Sequence, residues 1–276
     1  MANILSARLY AYLLVALALT AAPAYAQFTP RSLSDPATGE RYHIEGEVNL
    51  WAPGADAVIS SVGLGIPGTN INLKNDLGLT DQRMSDVRLV LRPFKKHKLR
   101  FQYTPIQYQQ QADLVRDVVF QGQLYRVGLP VNSSLDWKAY RFSYEYDFLY
   151  HDRWFAGVLL DAKYTDVFAS LRSPVNYETI HARAPIPTIG GIGRYYVVPN
   201  ISITAELSGF KIPDSVAKDV EVQAHYLEFD MYGTVNFTNN FGAKLGYRAV
   251  DVLVVPTNDR YSFQLKGLYF GGVARF

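Results

Sequence analysis

Strict alternation of aromatic and polar residues dominates one stretch of this 276-residue chain. Between positions 140 and 148 every second residue is tyrosine or phenylalanine, and the residues between them carry charged or hydroxyl side chains. A period of two places successive side chains on opposite faces of a β-strand. Each ring brings roughly 150 to 250 Å² of surface, so five of them would overfill a small barrel, and we expect this face to contact lipid. The predicted lipid-facing residues are Tyr140, Phe142, Tyr144, Tyr146 and Phe148.

The first 26 residues have the pattern of a bacterial secretion signal. Arg8 supplies the positive charge, residues 9–22 are apolar, and Ala24-Tyr25-Ala26 matches a small-x-small cleavage site. No later apolar stretch is long enough for a spanning helix, so a mature protein that crosses a membrane must do so as a closed barrel. We predict a cleaved signal peptide at 1–26, a periplasmic N-terminal segment at 27–41 and a transmembrane β-barrel at 42–276.

Composition argues against several classes of function. The chain has no cysteine, which excludes disulfides, thiolate metal sites and cysteine nucleophiles. A formal net charge of +2 argues against a general nucleic-acid surface. No His-Glu-x-x-His or comparable ligand spacing appears, so we predict neither a metal site nor a cofactor.

The same alternation recurs along the chain and predicts about ten antiparallel strands, with eight or twelve as the other possibilities. Four tight turns would gather at one end and five longer connections at the other, as in outer-membrane barrels. Nine residues at about 3.3 Å each, tilted by about 40°, rise roughly 23 Å, close to the ~25 Å apolar band of such barrels. The predicted fold is therefore all-β, a closed antiparallel up-and-down transmembrane β-barrel. Breaks in the alternation at Pro105 and near Gly267 predict β-bulges.

The end of the chain resembles small bacterial outer-membrane β-barrel proteins. Residues 269–276 resemble the C-terminal signal that those proteins present to the barrel-assembly machinery, with Phe270 and Phe276 as its phenylalanines. Two further stretches, Asn70 to Leu79 and Phe120 to Leu135, are similar to a family of uncharacterised barrels with an acidic D-L-G-L element in the first loop. The resemblance implies a location in the outer membrane of a Gram-negative bacterium. Membrane lipid, lipopolysaccharide and the assembly machinery are the expected partners, and the partner of the loops is unknown.

Charged residues occupy the face opposite the aromatic side chains, and parity therefore places them in the lumen. Their two signs nearly cancel. A selective pore would show one sign at its constriction, whereas a balanced set in a narrow barrel indicates ion pairs that fill the interior. We expect a plugged, structural lumen, with a narrow polar channel as the alternative. The predicted lumen charge network is Glu45, Glu47, Asp86, Arg88, Arg92, Arg100, Arg141, Glu145, Asp147, Asp161, Lys163, Arg194, Glu206, Glu228, Asp230, Lys244 and Arg248.

Enzymes of the outer membrane are the main functional alternative. An omptin-like protease would need paired Asp/His and Asp/Asp residues at the outer rim, but the adjacent His151-Asp152 falls in a predicted periplasmic turn. A lipid A deacylase would need His-x-Ser, and the residue two positions after His225 is leucine. His181 falls in a predicted loop without a matching partner. We therefore predict a non-enzymatic protein with no catalytic residues, which presents surface loops or passes small solutes slowly, and keep a lipid-modifying hydrolase or protease as the alternative.

A soluble lipocalin-like binding barrel is the second alternative. Its apolar face would turn inward around a ligand, and the terminal Phe276 argues against it. Gly63, Gly65 and Gly68 form a literal G-x-G-x-x-G, but Pro67 and the Asn-rich sequence that follows provide no helix to hold a phosphate. We interpret these glycines as part of a loop, and no nucleotide cofactor is predicted.

Overall fold

The computed structural model describes residues 37–60, 70–72, 74–78, 82–213, 222–256 and 260–276. The predicted signal peptide and the loop with Gly63, Gly65 and Gly68 lie outside these residues. A short 3-10 helix, Thr38–Glu40, precedes the first strand. The strands are β1 (Ile44–Ser60), β2 (Ile71–Asn72), β3 (Met84–Phe94), β4 (His97–Asp113), β5 (Val118–Phe120), β6 (Gln123–Tyr125), β7 (Pro130–Tyr150), β8 (Trp154–Arg172), β9 (Tyr177–Val198), β10 (Ile201–Lys211), β11 (Val222–Asn236), β12 (Phe241–Pro256) and β13 (Arg260–Arg275). Among the described residues, no helix is long and apolar enough to span a membrane.

Ten of these strands form a closed antiparallel barrel. The order around the ring is β1, β3, β4, β7, β8, β9, β10, β11, β12, β13, and β13 pairs back onto β1. This closing seam runs from Glu45 opposite Arg275 to Ser60 opposite Arg260. The short β2 extends the sheet beside β1, while β5 and β6 form a separate hairpin. The predicted closed up-and-down barrel of about ten strands is confirmed.

The two ends of the barrel differ. We call the end with the connections 95–96, 151–153, 199–200 and 237–240 the turn end, and the opposite end the loop end. The prolines of the stretch from Arg172 to Pro187 predict a loop that contains His181. This prediction is wrong, because β9 begins at Tyr177 and contains Pro185 and Pro187. These prolines lie above Ile189, where β9 has no pairing with the shorter β10. A free sheet edge tolerates proline, which cannot donate a ladder hydrogen bond.

Apolar side chains cover the outer surface of the barrel. Phe142 and Leu160 are more than half exposed, whereas their neighbours Arg141 and Asp161 are buried. The aromatic residues at 140–148 therefore point outward. Because every strand of the ring is paired on both sides over its central part, such a wall can face hydrocarbon without unpaired backbone groups. The outer surface is thus suited to lipid, and a soluble lipocalin-like arrangement, with its apolar face inside, is wrong.

The interior has a charged half toward the turn end and an apolar half toward the loop end. Gln102 and Thr104 point inward on β4, and Ile106 and Tyr108 continue the same inward face. Pairing of β4 with β7 keeps one register through Pro105, so the predicted bulge there is wrong. The predicted bulge near Gly267 is wrong for the same reason, since β13 holds its register against both neighbours. At these heights the inward-facing residues change from polar to apolar, while the backbone keeps its register.

Candidate functional site

The turn-end half of the lumen contains ten carboxylates and ten cations among the described residues. All of the predicted lumen residues lie in this set. Sequence reasoning missed Lys98 and Arg275, although counting inward positions from Leu99 and from Phe276 would have found both. It also missed Glu40, which comes from the segment before β1 and follows no strand parity. We call this set of charged residues the lumen network.

Ion pairs of the lumen network connect strands on opposite sides of the ring. Arg88 on β3 lies 2.6 Å from Asp230 on β11, and Arg100 on β4 lies 2.6 Å from Glu206 on β10. Arg100 also lies 3.0 Å from Glu145. These side chains cross the axis of the barrel, so they occupy the path that a solute would need.

Further pairs fill the space around these cross-lumen contacts. Lys163 Nζ lies 2.6 Å from Glu228, and Lys244 Nζ lies 2.6 Å from Glu47. Arg141 contacts Asp161 at 3.0 Å. Removing one partner of a buried pair leaves an uncompensated charge and costs about 3–5 kcal/mol of stability. Each residue of these pairs therefore depends on its partner.

The segment before β1 closes the turn end of the lumen. Glu40 accepts hydrogen bonds from Arg194 at 2.6 Å and from the Tyr196 hydroxyl at 2.8 Å. Arg92 and Lys98 lie 3.4 and 4.0 Å from the same carboxylate. Burial alone would raise the pKa of Glu40, but the surrounding cations and the tyrosine outweigh burial and lower the pKa to about 2. The carboxylate is therefore held ionised among three cations.

Close packing fixes this closure. A Cβ added at Gly39 would lie 2.5 Å from the Tyr196 hydroxyl and 2.9 Å from Asn236 Nδ2, so a larger residue would have to displace these side chains. Tyr42 is buried, and the guanidinium groups of Arg92 and Arg275 lie 5.5 and 5.8 Å from its ring centroid. These cation–π contacts stabilise the packing of the segment against the turn end.

The hairpin of β5 and β6 closes the loop end. Val118, Phe120 and Tyr125 are buried against the apolar half of the interior, together with Leu114. The hydroxyl of Tyr125 donates to the carbonyl oxygen of Leu171 on the barrel wall at 3.3 Å. These loop side chains fill the mouth of the barrel, which explains why inward residues are apolar at this height.

An ion pair joins this hairpin region to the loop that carries the acidic D-L-G-L element. Arg116 donates from Nε and Nη2 to the two oxygens of Asp76, at 2.8 and 2.6 Å. The pKa of Asp76 is lowered, chiefly by these hydrogen bonds and also by the backbone N–H of Asn72, while partial burial opposes the shift. Leu77 is buried beside it, and Gly78 has a φ of +65°, a value that favours glycine. The acidic element therefore acts as a contact between two loops.

A small cavity of about 50 Å³ lies where the charged and apolar halves of the interior meet. Its lining includes Trp51, Trp137, Arg141, Lys163 and Arg248. About 10–15 Å³ of such volume holds one water molecule, so the space suits a few waters rather than a drug-sized ligand.

Two histidine–carboxylate pairs lie near the loop end on the outside of the barrel. His181 Nε2 is 2.8 Å from Asp166, and His225 Nε2 is 3.3 Å from Asp251. Both pairs occupy outward strand positions, since Tyr226 and Lys163 mark the inward parity of their strands. In the described part of the chain neither imidazole is hydrogen bonded to a hydroxyl group. His151 stacks on Trp154 at the turn end, with ring centroids 4.5 Å apart.

Comparison with solved structures identifies the type of barrel. The outer membrane protease OmpT from Escherichia coli superposes with a TM-score of 0.52 and 8% identity, over 89% of this chain and 100% of that chain. The chain folds as an outer-membrane β-barrel. The apolar outer wall and this fold place the barrel in the outer membrane of a Gram-negative bacterium, as predicted. At 8% identity the likeness to OmpT concerns the fold and not the activity.

Other similar barrels superpose less well. The attachment invasion locus protein Ail from Yersinia pestis gives a TM-score of 0.36 at 8% identity, over 84% of this chain and 99% of that one. The toluene transporter TodX from Pseudomonas putida gives a TM-score of 0.36 at 8% identity, over 88% of this chain and 92% of that one. No protein-family model and no curated protein sequence matches the barrel.

Proposed function

We propose that this protein is a non-conducting, non-enzymatic outer-membrane barrel that anchors its loop-end surface rigidly in the membrane. The observation that carries the proposal is the cross-lumen ion pairing, above all Arg88 with Asp230 and Arg100 with Glu206. Conduction requires binding that is weak enough for an ion to leave. The charges of these cross-lumen pairs already neutralise one another at 2.6 Å, so the pairs have little affinity left for a permeating ion. A narrow passive channel for small solutes is therefore the less favoured alternative.

The wall toward the loop end supports the anchoring role. Strands β4, β7, β8 and β9 continue beyond a belt of three outward tyrosines, Tyr103, Tyr140 and Tyr164, whose ring centroids are 4.9 and 6.3 Å apart. Such belts mark the boundary between hydrocarbon and head groups. Several outward positions beyond the belt are polar, among them Asp136 and Lys138. This projecting wall would contact lipopolysaccharide and present the loops to the surroundings.

The membrane lipid around the wall and the barrel-assembly machinery are the remaining partners that we propose. Phe270 and Phe276 are 59% and 68% exposed on the outer face of β13 and just beyond it. An exposed aromatic at the end of the last strand is accessible to an assembly factor before the barrel closes.

Planar bilayer recordings test the proposal. Refolded full-length protein should insert without discrete conductance steps, while a heat-dependent shift on detergent gels verifies that the barrel is folded. A matched variant with Arg88→Ser and Asp230→Ser keeps the charge balance and removes one cross-lumen pair. Discrete, salt-dependent steps from folded wild-type protein would show that the lumen conducts and would overturn the proposal.

A surface hydrolase is the second candidate function, and the exposed pair of His181 and Asp166 favours it. An imidazole oriented by a carboxylate is one part of a nucleophilic site. The similar barrel of OmpT belongs to a protease. Incubation of folded protein with a peptide library and with purified lipid A separates the two functions. Cleavage that disappears in His181→Ala and persists in the matched His151→Ala variant would establish a hydrolase.

A further inference from the structure

An open groove of about 410 Å³ lies across β4, β7, β8 and β9 near the loop end. Glutamine, asparagine and serine side chains line it, together with Arg172 and Tyr177. The groove is on the outer face of the barrel, because Asn132 in its lining alternates with Val131, which is buried inside. Its volume falls within the range of about 300–1,000 Å³ that is common for sites of small ligands.

The groove is polar but carries little charge. Arg172 is the one ionised side chain among the lining residues that the structure describes. Asp113 on β4 and Asp136 on β7 flank the groove on the same outward face. A phosphate or a carboxylate would therefore meet two anions beside one cation, whereas an uncharged ligand would not be repelled. The groove favours a ligand that is polar and neutral.

Side-chain amides are the main hydrogen-bonding groups of this groove. Gln109, Gln111 and Asn132 each offer an acceptor oxygen and two N–H donors. In the described part of the chain these three amides form no hydrogen bond with the protein, whereas the hydroxyls of Ser134 and Ser170 bond to each other at 2.7 Å. A hydroxyl group also donates and accepts, so it is a matching partner for an amide. Sugars are the ligands that present many such hydroxyls close together.

An aromatic ring adds an apolar surface at one end of the groove. Tyr177 is 50% exposed, and the guanidinium carbon of Arg172 lies 4.4 Å from the centroid of its ring. This cation–π contact occupies one face of the ring and holds it in place. A sugar has hydroxyl groups at its edge and C–H groups on its faces, so amides and an aromatic ring together match both parts of it.

The height of the groove indicates which sugars reach it. On β7, Ser134 and Asn132 lie six and eight residues beyond Tyr140 of the tyrosine belt. At about 3.4 Å per residue and a tilt of about 40°, they lie roughly 16 and 21 Å beyond the hydrocarbon boundary. The head-group layer is only about 5–8 Å thick on each side of a bilayer. The groove is therefore beyond the phosphates of the outer leaflet.

The outer wall is layered in the same order as a lipopolysaccharide molecule. Above the tyrosine belt comes a charged row in which Lys138, Asp166 and Arg183 lie side by side on β7, β8 and β9. The uncharged groove follows above this row. Acyl chains, phosphates and core sugars succeed one another in the same way along lipopolysaccharide.

We propose that the groove binds uncharged sugars in the core oligosaccharide of a neighbouring lipopolysaccharide molecule. The inference rests on the proposed function, because it requires the loop end to project from the outer leaflet. The amides of Gln109, Gln111 and Asn132 hydrogen bond to sugar hydroxyls, and the ring of Tyr177 packs against a C–H face. The projecting wall thereby holds the saccharide that surrounds it.

Surface plasmon resonance of refolded full-length protein in uncharged detergent tests the site. Three analytes are compared: lipopolysaccharide with a complete core and no O-chain, lipid A without core sugars, and core oligosaccharide released from lipid A by mild acid. The complete-core molecule should bind about tenfold more tightly than lipid A, since one net hydrogen bond changes affinity by roughly two- to twelvefold. The released oligosaccharide should compete for the groove but bind more weakly than the complete molecule.

Variants of the lining separate sugar binding from other contacts. Gln109→Ala with Asn132→Ala should lower the affinity for the complete-core molecule to about that for lipid A and leave lipid A unaffected. Tyr177→Leu should act in the same direction, whereas Tyr177→Phe keeps the ring and should retain binding. The matched control, Asn75→Ala with Gln123→Ala, removes the same two side-chain types at the loop end outside the groove and should change neither affinity. A heat-dependent shift on detergent gels verifies that each variant is folded.

Equal affinity of the wild-type protein for lipid A and for the complete-core molecule would overturn the proposal, as would an equal loss of affinity in the control variant. Released oligosaccharide that binds as tightly as the complete molecule would show a site for soluble glycans, which also contradicts the proposal. None of these outcomes depends on conduction. A barrel that binds both lipids equally but does not conduct would lose this inference and keep the proposed function.

Discussion

Arg100 on β4 and Glu206 on β10 form an ion pair across the lumen, with Nη2 of the arginine 2.6 Å from Oε1 of the glutamate. Arg141 lies 3.6 Å from the other oxygen of the same carboxylate. Glu206 therefore neutralises two arginines that reach it from different strands. Its removal is the sharpest test of how far the lumen network stabilises the barrel.

Replacement of Glu206 by alanine should lower the free energy of unfolding by about 3–5 kcal/mol, because two buried guanidinium groups lose their counter-charge. Urea titration of barrels folded in detergent measures this change. In the double variant Arg100→Met with Glu206→Leu the loss should be smaller, since one of the uncompensated cations is gone. A single variant as stable as wild type would show that water already screens these charges.

Stability should depend on pH through Glu40. Its pKa is lowered to about 2 by Arg194 and the nearby cations, against the opposing effect of burial. A depressed carboxylate pKa contributes stability above the unfolded pKa of about 4.3, and that contribution disappears as pH falls toward 2. Wild type should therefore exceed Glu40→Gln by roughly 3 kcal/mol at pH 7.

Unfolding titrations of both proteins at several pH values measure this difference. The gap should begin to close near pH 5 and be almost gone near pH 2, at about the limits set by the two pKa values. A gap that stays constant over this range would mean that the Glu40 carboxylate does not contribute through its charge.

Breaking the contact between Asp76 and Arg116 should affect the loop end more than the whole barrel. Arg116 is 45% exposed, and exposed ion pairs contribute about 0–1 kcal/mol. We expect Asp76→Asn to leave global unfolding nearly unchanged and to speed tryptic cleavage after Arg116. Asp113→Asn, an exposed change on β4, is the matched control and should not alter the cleavage rate.

A cation on the outer wall should prevent efficient insertion. Leu160 is 52% exposed on β8 and lies opposite Tyr144, in the middle of the aromatic stretch. Leu160→Arg should cost about 2–4 kcal/mol in folding into lipid vesicles. Leu124→Arg, on the exposed side of the β6 hairpin strand, carries the same change outside the bilayer and should fold normally. Equal folding of both variants would mean that residue 160 is not in hydrocarbon.

Alternation with a period of two was sufficient to predict which face of a strand points outward, wherever one face is charged and the other apolar. Glu145 and Phe142 show why, since a one-residue shift would exchange buried and lipid-facing positions along the whole strand. The rule failed at Ile106 and Phe263, which point inward although they are apolar. Their environment is created by loop residues such as Phe120, and no local pattern reveals which loop will fold back into the mouth.

The closure of the turn end could not be predicted from the sequence either. Glu40 lies in a segment without periodicity, and its partner Arg194 is 154 positions away. Pro185 and Pro187 led to a different error, the prediction of a loop where a strand forms. The energetic cost of a proline in a strand depends on whether the neighbouring strand extends to the same height. The short β10 leaves them at a free edge, and its length is a property of the assembled sheet.

A buried ion pair marks the seam between the first and last strands. Arg275 near the end of β13 contacts Glu45 near the start of β1, and both side chains are buried. A sheet that closed prematurely, with β12 against β1, would bury Glu45 without this arginine. An unmatched buried charge costs several kcal/mol, and β12 runs parallel to β1 because both pair antiparallel with β13. A nine-stranded ring is therefore disfavoured by its electrostatics as well as by strand direction. The ion pair of Glu45 and Arg275 thus favours closure of the ring by its first and last strands.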